Sequence, residues 1–449
     1  MEICTIGGYE EVGKNMTAVK VGDDVIIFDA GIYLPPLIDL QEQESFVRYN
    51  EHMLRKIKAI PDDLVLDKLG WTDKVRAIVI GHAHLDHVGG IPYLAHRYPK
   101  AEIIATPFTM EILNLIYEDE KLILKNKKRI IKPNSRLKLK SPNGNEIDLE
   151  FIHTTHSTIQ CVFAIWHSKE GGVFYALDFK FDKHPVIGEP PNYSRLKELG
   201  RKKQIKCLVV DSLYADTERR TASERIARDL LEDALSVIRD RNSALFITTF
   251  SSHIARLKSI VEFGKKTGRQ IIFMGRSLMK YVNAAKKVGE CSFYHQIRLI
   301  KYRKQINSFL GKVESERGKY LVVCTGHQGE KGAILDRILK DETHFNFRAG
   351  DNVIFSSSVI PVVQNINARE KMDKKLRAKG VRIQTDIHVS GHGGREDLRD
   401  LVQMLEPEHI IPAHGSIEQE MPMVELAKEM GYKFQESVHL SSNGKVVKI

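Results

Sequence analysis

Short apolar runs broken by glycine and aspartate open the chain. Glu2-Ile-Cys-Thr-Ile6, Met16–Val21 and Val25–Phe28 are joined by Gly7-Gly8 and by Gly22-Asp23-Asp24, and together they predict a β-meander that ends on Asp29-Ala30-Gly31. Residues 32–74 are mixed and polar and read as an excursion over a site. Val75–Ile80 is an unbroken apolar run, hence a buried strand; Gly89-Gly90 then opens a helix through Tyr98. A strand over 101–106 and a helix over 108–118 follow. Strands over 147–155, 161–166 and 173–177 come next. From Lys206 the texture changes. Strands over 205–210, 244–250, 270–274, 320–324, 351–356, 381–385 and 409–413 alternate with helices over about 221–239, 254–266, 277–288, 363–379 and up to Leu405. Such alternation predicts a parallel α/β sheet whose ligands bind at the carboxyl ends of its strands. The last stretch, 438–449, reads as a hairpin around Ser442-Asn443-Gly444.

Composition changes this picture in three ways. A length of 449 residues favours two domains. A formal charge of +10 and a pI near 9.1 favour a polyanionic partner, nucleic acid before membrane. The five cysteines, Cys4, Cys161, Cys207, Cys291 and Cys324, form no CxxC pair and lie mostly in strand-like runs, as small hydrophobes do in a reducing compartment. With no basic leader and no long apolar segment at the N-terminus, a cytoplasmic location is expected. Residues 121–140 carry nine Lys or Arg and no acid. They read as a solvated hairpin face with Ile131 and Leu137 turned inward, and they would attract a phosphate backbone.

The chemistry concentrates in His82-Ala-His84-Leu-Asp86-His87, directly after the strand that ends at Ile80. In an extended loop His82 and His84 share a face, while Asp86 and His87 come after a turn and face a second point. Nitrogen and carboxylate donors at this density suit zinc-type cations. Further candidates fall at other strand ends: Asp29, His156 (with His153 as competitor), Asp178, Asp211-Ser212, His392 and His414. Three loops, Phe250-Ser251-Ser252-His253, Gly275-Arg276-Ser277 and Thr325-Gly326-His327-Gln328-Gly329, place small residues before helices or after strands, where backbone N–H groups bind phosphate.

Together these motifs resemble the metallo-β-lactamase/β-CASP nucleases, and ribonuclease J in particular. Asp29, His82-x-His84-x-Asp86-His87, His156 and Asp178 look like the first four metallo-β-lactamase motifs. Asp211, His392 in Ser-Gly-His and His414 in Pro-Ala-His-Gly look like β-CASP motifs A, B and C. Residues 7–16 and His388-Val389-Ser390-Gly391-His392 also resemble ribonuclease J. Bacterial members carry an additional C-terminal domain, whereas this chain stops about 35 residues past His414, and Phe-Ser-Ser-His stands where they have Phe-Ala-Ser-Asn; both features fit the shorter archaeal branch.

The resemblance implies an α/β fold, a metallo-β-lactamase αββα sandwich with an inserted β-CASP domain. Its expected division is 1–207 and 363–449 for the sandwich and 208–362 for the insertion. It further implies two zinc ions, with manganese as the other candidate metal. One ion falls to His82, His84 and His156, the other to Asp86, His87 and His414, and Asp178 bridges. Asp29 fixes a ligand imidazole, Asp211 orients His392, and His392 contacts the scissile phosphate. His388, Val389, Ser390 and Gly391 help to hold that phosphate. Ser251, Ser252, His253, Arg276 and Ser277 form a 5′-phosphate pocket. The implied activity is processive 5′-to-3′ hydrolysis of 5′-monophosphorylated single-stranded RNA to mononucleotides. A homodimer and RNA-decay or exosome-associated partners go with it. Two other readings are an endoribonuclease of the pre-mRNA 3′-processing type and a non-enzymatic protein, either a metal-free scaffold or an RNA-binding subunit.

Overall fold

The computed structural model describes residues 1–43, 49–238, 240, 242–360 and 362–449. Part of the excursion 32–74 and the last residue of the helix expected at 221–239 fall outside that set. The chain forms two compact units. The first comprises Met1–Lys183, Glu189–Thr221 and Ser390–Ile449, and the second comprises His184–Gly188 and Ala222–Val389. The chain thus passes between units at 183–184, 188–189, 221–222 and 389–390.

Two sheets build the first unit. One has seven strands in the order Lys445–Lys448, Glu2–Gly7, Met16–Val21, Asp24–Phe28, Val75–Val79, Glu102–Ala105 and Lys128–Ile130. The other has six, in the order His409–Ala413, Ile205–Asp211, Gly171–Ala176, Val162–Ser168, Glu146–His153 and Ser135–Lys140. Every second side chain points into the layer between them. Ile26 and Phe28, Ala77 and Val79 meet Val162, Ala164 and Trp166, Val173 and Tyr175, and Cys207 and Val209 in one buried cluster. The intervening residues Phe163, Ile165, Phe174, Leu208 and Val210 face outward onto Leu196, Leu199, Leu398, Leu401, Met423 and Val424. These come from the helices Tyr193–Arg201, Arg395–Leu405 and Ile417–Glu429. Burial on both faces explains why these strands read as continuous apolar runs.

Three expectations need correction. The strand Ile205–Asp211 belongs to the sandwich, between Gly171–Ala176 and His409–Ala413, and pairs in parallel with both. Residues 121–140 form no hairpin: Lys128–Ile130 and Ser135–Lys140 are the edge strands of different sheets. Ile131 is buried and Leu137 half-buried, as expected. Residues 438–449 form no hairpin either. Ser442-Asn443-Gly444 turns the chain into one strand, Lys445–Lys448, whose partner is Glu2–Gly7 at the other end of the sequence.

The second unit holds a six-stranded sheet, all parallel, in the order Arg298–Ile300, Gln270–Met274, Tyr320–Cys324, Leu245–Thr248, Asn352–Phe355 and Arg382–Gln384. Among the described residues no helix is long and apolar enough to cross a membrane. All five cysteines are buried and unbridged.

Candidate metal centre

The loop after Val75–Val79 is bound to the end of the first meander. Ala30 N–H donates to His87 O at 2.9 Å, Ile32 N–H to Leu85 O at 3.0 Å and Asn15 N–H to Asp86 O at 3.0 Å. Gly31 permits this approach, because a Cβ there would sit 1.6 Å from Asp86 O. His84 then precedes the short helix Leu85–Val88, which turns Asp86 and His87 away from it.

Three site residues leave their strands in the left-handed region: Asp29 at φ 57°, Asp178 at φ 53° and His414 at φ 65°. Each such non-glycine residue costs about 1 kcal/mol or more, and strain of this kind collects at functional sites. All three side chains turn inward and are buried.

Asp178 is the centre of the array. Its carboxylate lies 3.3 Å from His82 Nε2, 3.2 Å from His87 Nε2, 3.5 Å from His156 Nε2, 3.4 Å from His414 Nε2 and 3.9 Å from His392 Nε2. On four of these rings the other nitrogen is tied back. His87 Nδ1 lies 2.7 Å from Asp29 Oδ2, whose partner oxygen accepts from Gly81 N–H. His156 Nδ1 donates to Gly391 O at 2.7 Å, His414 Nδ1 to Asn15 Oδ1 at 3.0 Å and His392 Nδ1 to Asp211 Oδ2 at 2.7 Å. A neutral histidine that donates through one nitrogen to an oxygen presents a lone pair at the other, which is how ligand imidazoles are held around a metal.

The donor set fits cations. Three groups of side chains could hold an ion, His82-His84-His156-Asp178, Asp86-His87-Asp178-His414 and Asp178-Asp211-His392, with the ligand atoms of each within 4.8 Å of one another. Both ring nitrogens of His82 and Oδ1 of Asp178 are buried without a hydrogen bond among the described residues, a costly state that a bound cation relieves. Borderline imidazole nitrogens together with carboxylates suit a zinc-type ion.

Comparison with known proteins agrees with this geometry. Residues 9–179 match the model of the metallo-beta-lactamase superfamily, 242–374 that of the ribonuclease J beta-CASP domain, and 380–439 that of the Zn-dependent metallo-hydrolase RNA specificity domain. The chain is 39% identical to ribonuclease J of Methanocaldococcus jannaschii over 99% of its own length and 98% of that protein. The belonging is decided there. The chain is a member of the ribonuclease J family. Ribonuclease J of Pyrococcus abyssi is 40% identical over 100% of this chain and 97% of that one. Ribonuclease J 1 of Streptococcus pyogenes is 31% identical over 99% and 74% respectively. A crystal structure of a protein of unknown function from Enterococcus faecalis shares the fold, with a TM-score of 0.64 and 16% identity over 99% of both chains.

Within this ribonuclease J family frame the electrostatics of the centre divide its histidines. Burial, and then the neighbouring His82, pushes the His84 ring down to about 3. Burial likewise lowers His82 and His156, so these three are neutral donors. At His392 burial opposes the charged form, but Asp211 and Asp178 outweigh it and hold the ring up at about 9. His87 is raised for the same reason, by Asp178, Asp86 and Asp29 acting against burial. Burial would raise Asp178, yet His414, His87 and His392 hold it well below the usual carboxylate range.

Asn15 is a residue that sequence reasoning missed. It is fully buried, its amide nitrogen lies 3.1 Å from His87 Nε2 and donates to Asp86 O at 3.0 Å, and its amide oxygen accepts from His414. One side chain therefore touches the supports of three candidate ligands. The signal was its place in Gly13-Lys14-Asn15, just before a strand. His153, the competitor of His156, points elsewhere and bonds Glu189 O.

The segment 388–392 spans the junction, with His388 and Val389 in the second unit and Ser390 to His392 in the first. Ser390 Oγ accepts from His392 N–H at 3.0 Å, and a Cβ at Gly391 would meet the His156 ring at 2.8 Å. The remaining candidates lie in the second unit. Ser251 and Ser277 hydroxyls are 3.0 Å apart, and Arg276 is exposed at the start of its helix. Ser252 is buried, and so is His253, which caps the helix Ile254–Lys266 through Arg256 N–H and lies 3.4 Å from Glu224. Close by, Phe250 meets the buried His327 ring edge-on at 4.4 Å and lies 6.4 Å from His388.

Proposed function

We propose that the chain is a two-zinc ribonuclease that degrades 5′-monophosphorylated RNA from its 5′ end and releases mononucleotides. The convergence of five Nε2 atoms on Asp178, with four rings tied back, carries the reading. Ions held there lower the pKa of water into the neutral range and offset the charge on the phosphate oxygens. His82, His84 and His156 support one ion, Asp86, His87 and His414 the other, and Asp178 reaches both. Asp29 and Asn15 fix the ring planes of His87 and His414. His392 is oriented through its Nδ1 by Asp211 and offers an Nε2 proton to the 3′-oxygen that leaves the preceding nucleotide. The backbone of Ser390 and Gly391, in the same unit, cradles the same phosphate. Ser251, Ser252, Arg276 and Ser277 supply hydroxyls and a cation for the 5′-phosphate, while His253 fixes the helix start beneath them.

A time course on 5′-labelled, monophosphorylated RNA, with metal content measured in parallel, tests this. Labelled mononucleotide from the first time points is the expected result. Ladders of long 5′ fragments, or opening of a circular RNA, would instead establish endonucleolytic cutting. Equal rates on 5′-triphosphate RNA would remove the 5′-phosphate pocket.

A further inference from the structure

The charge of the chain is divided unevenly. The second unit carries 31 Lys and Arg against 17 Asp and Glu, a surplus of 14, while the metal-bearing unit carries 37 against 41, a deficit of 4. The attraction for polyanions thus resides in the unit without the hydrolytic centre.

Two stretches could express it. The first, 121–140, belongs to the acidic unit, and carboxylates answer much of its charge. Glu102 takes Lys127 and Arg129, Asp148 takes Arg136, and Glu146 takes Lys138. The second, 276–304, has eight Lys and Arg and one acid, Glu290. It runs along the helix Arg276–Lys287, through the edge strand Arg298–Ile300, into the helix Arg303–Ser315. Here aromatic rings, which leave the charge in place, are the recorded neighbours of several cations. Lys286 Nζ lies 3.8 Å from the Tyr294 ring centre, Arg298 lies 4.9 Å from Phe309 and Lys301 lies 5.6 Å from Tyr302. Among the described residues Lys286, Arg298, Lys301 and Lys304 have no ion pair. Tyr302 is 61% exposed. Charged side chains blunt any edge strand, but of these four cations Arg298 alone lies on the strand itself.

We propose that this surface, built on the edge strand Arg298–Ile300, binds single-stranded RNA, with Lys286, Arg298, Lys301 and Lys304 on phosphates and a base stacked on Tyr302. Unpaired cations interleaved with exposed rings are what a flexible strand with accessible base faces selects. An acidic protein offers charge without those faces. The proposal rests on RNA being the substrate.

The test measures affinity for uncleavable phosphorothioate RNAs of about 30 and about 6 nucleotides, together with turnover of a cleavable short oligomer. It compares the wild type with the combined Lys286→Ala, Arg298→Ala, Lys301→Ala and Lys304→Ala variant. The longer RNA is expected to bind on the order of tenfold more weakly to the variant at physiological salt, with the slope of log K against log salt reduced by about 3. Short-oligomer binding and turnover should be unchanged. Tyr302→Ala should weaken the longer RNA several-fold and Tyr302→Phe should not. Equal affinity of wild type and variant for the longer RNA would overturn the surface and leave the ribonuclease reading intact. A wild type that neither binds nor cleaves RNA would overturn both. Displacement of the longer RNA by poly-L-glutamate as readily as by RNA would also overturn the proposal, in favour of an acidic protein partner.

Discussion

At the scale of single residues the proposed site separates groups that would donate to a metal from groups that would aim the donors. His84 belongs to the first class, with its ring held neutral by burial and lying 3.1 Å from His156 Nε2. His84→Ala should therefore lower turnover on the order of 1,000-fold or more. RNA affinity, read by anisotropy, should stay within about twofold. Asn15 belongs to the second class. Asn15→Ala removes the partner of His414 Nδ1 and a bond to the Asp86 carbonyl, and metal affinity should fall about 10–100-fold in a chelator competition. The candidate ligands were legible in the sequence because metal binding demands unusual residue types at crowded spacing, as in His82 to His87. Asn15 was not legible, because a buried asparagine before a strand has many ordinary uses and only the fold brings it to His414, far away in the chain.

At the scale of elements the helix Ile417–Glu429 turns an acid inward. Glu420 is fully buried, neither carboxylate oxygen has a hydrogen bond among the described residues, and burial together with Glu11 and Glu10 pushes it up to about 10. Folding therefore keeps this group protonated while the unfolded chain releases the proton above its ordinary value of 4.5. That difference costs nothing at low pH and grows as pH rises from about 4.5 towards 10. Glu420→Gln should accordingly raise stability at pH 7, by up to about 3 kcal/mol, and change little near pH 4. Denaturant midpoints at the two pH values check this. Elements themselves were mostly legible, since period-two burial and apolar runs are local properties. Pairing was not. Ile205–Asp211 looks like any parallel strand, and nothing in its composition says which sheet receives it. The alternation in Ser135–Lys140 fixes an inner face, yet not the neighbour, which proved to be Glu146–His153 on one side alone.

At the scale of the whole molecule the candidate metal centre and the surplus of positive charge lie in different units, so hydrolysis and polyanion binding should be separable in one sample. Removing metal with a chelator should abolish RNA cleavage, while binding of long RNA persists and keeps its steep salt dependence. Loss of binding along with the metal would show that the ions, not the basic unit, hold the strand. The first unit is also interrupted in sequence. Its candidate ligands His82 to Asp178 precede the inserted unit, and His392, His414 and the strand Lys445–Lys448 that closes the first sheet come after it. During translation this order has a cost and a benefit. The early half of the sandwich must wait, with an open sheet edge, for the rest of the polypeptide. In return, a ribosome cannot release a working nuclease onto the message it is reading until the inserted unit and the segment carrying His392 and His414 have been decoded.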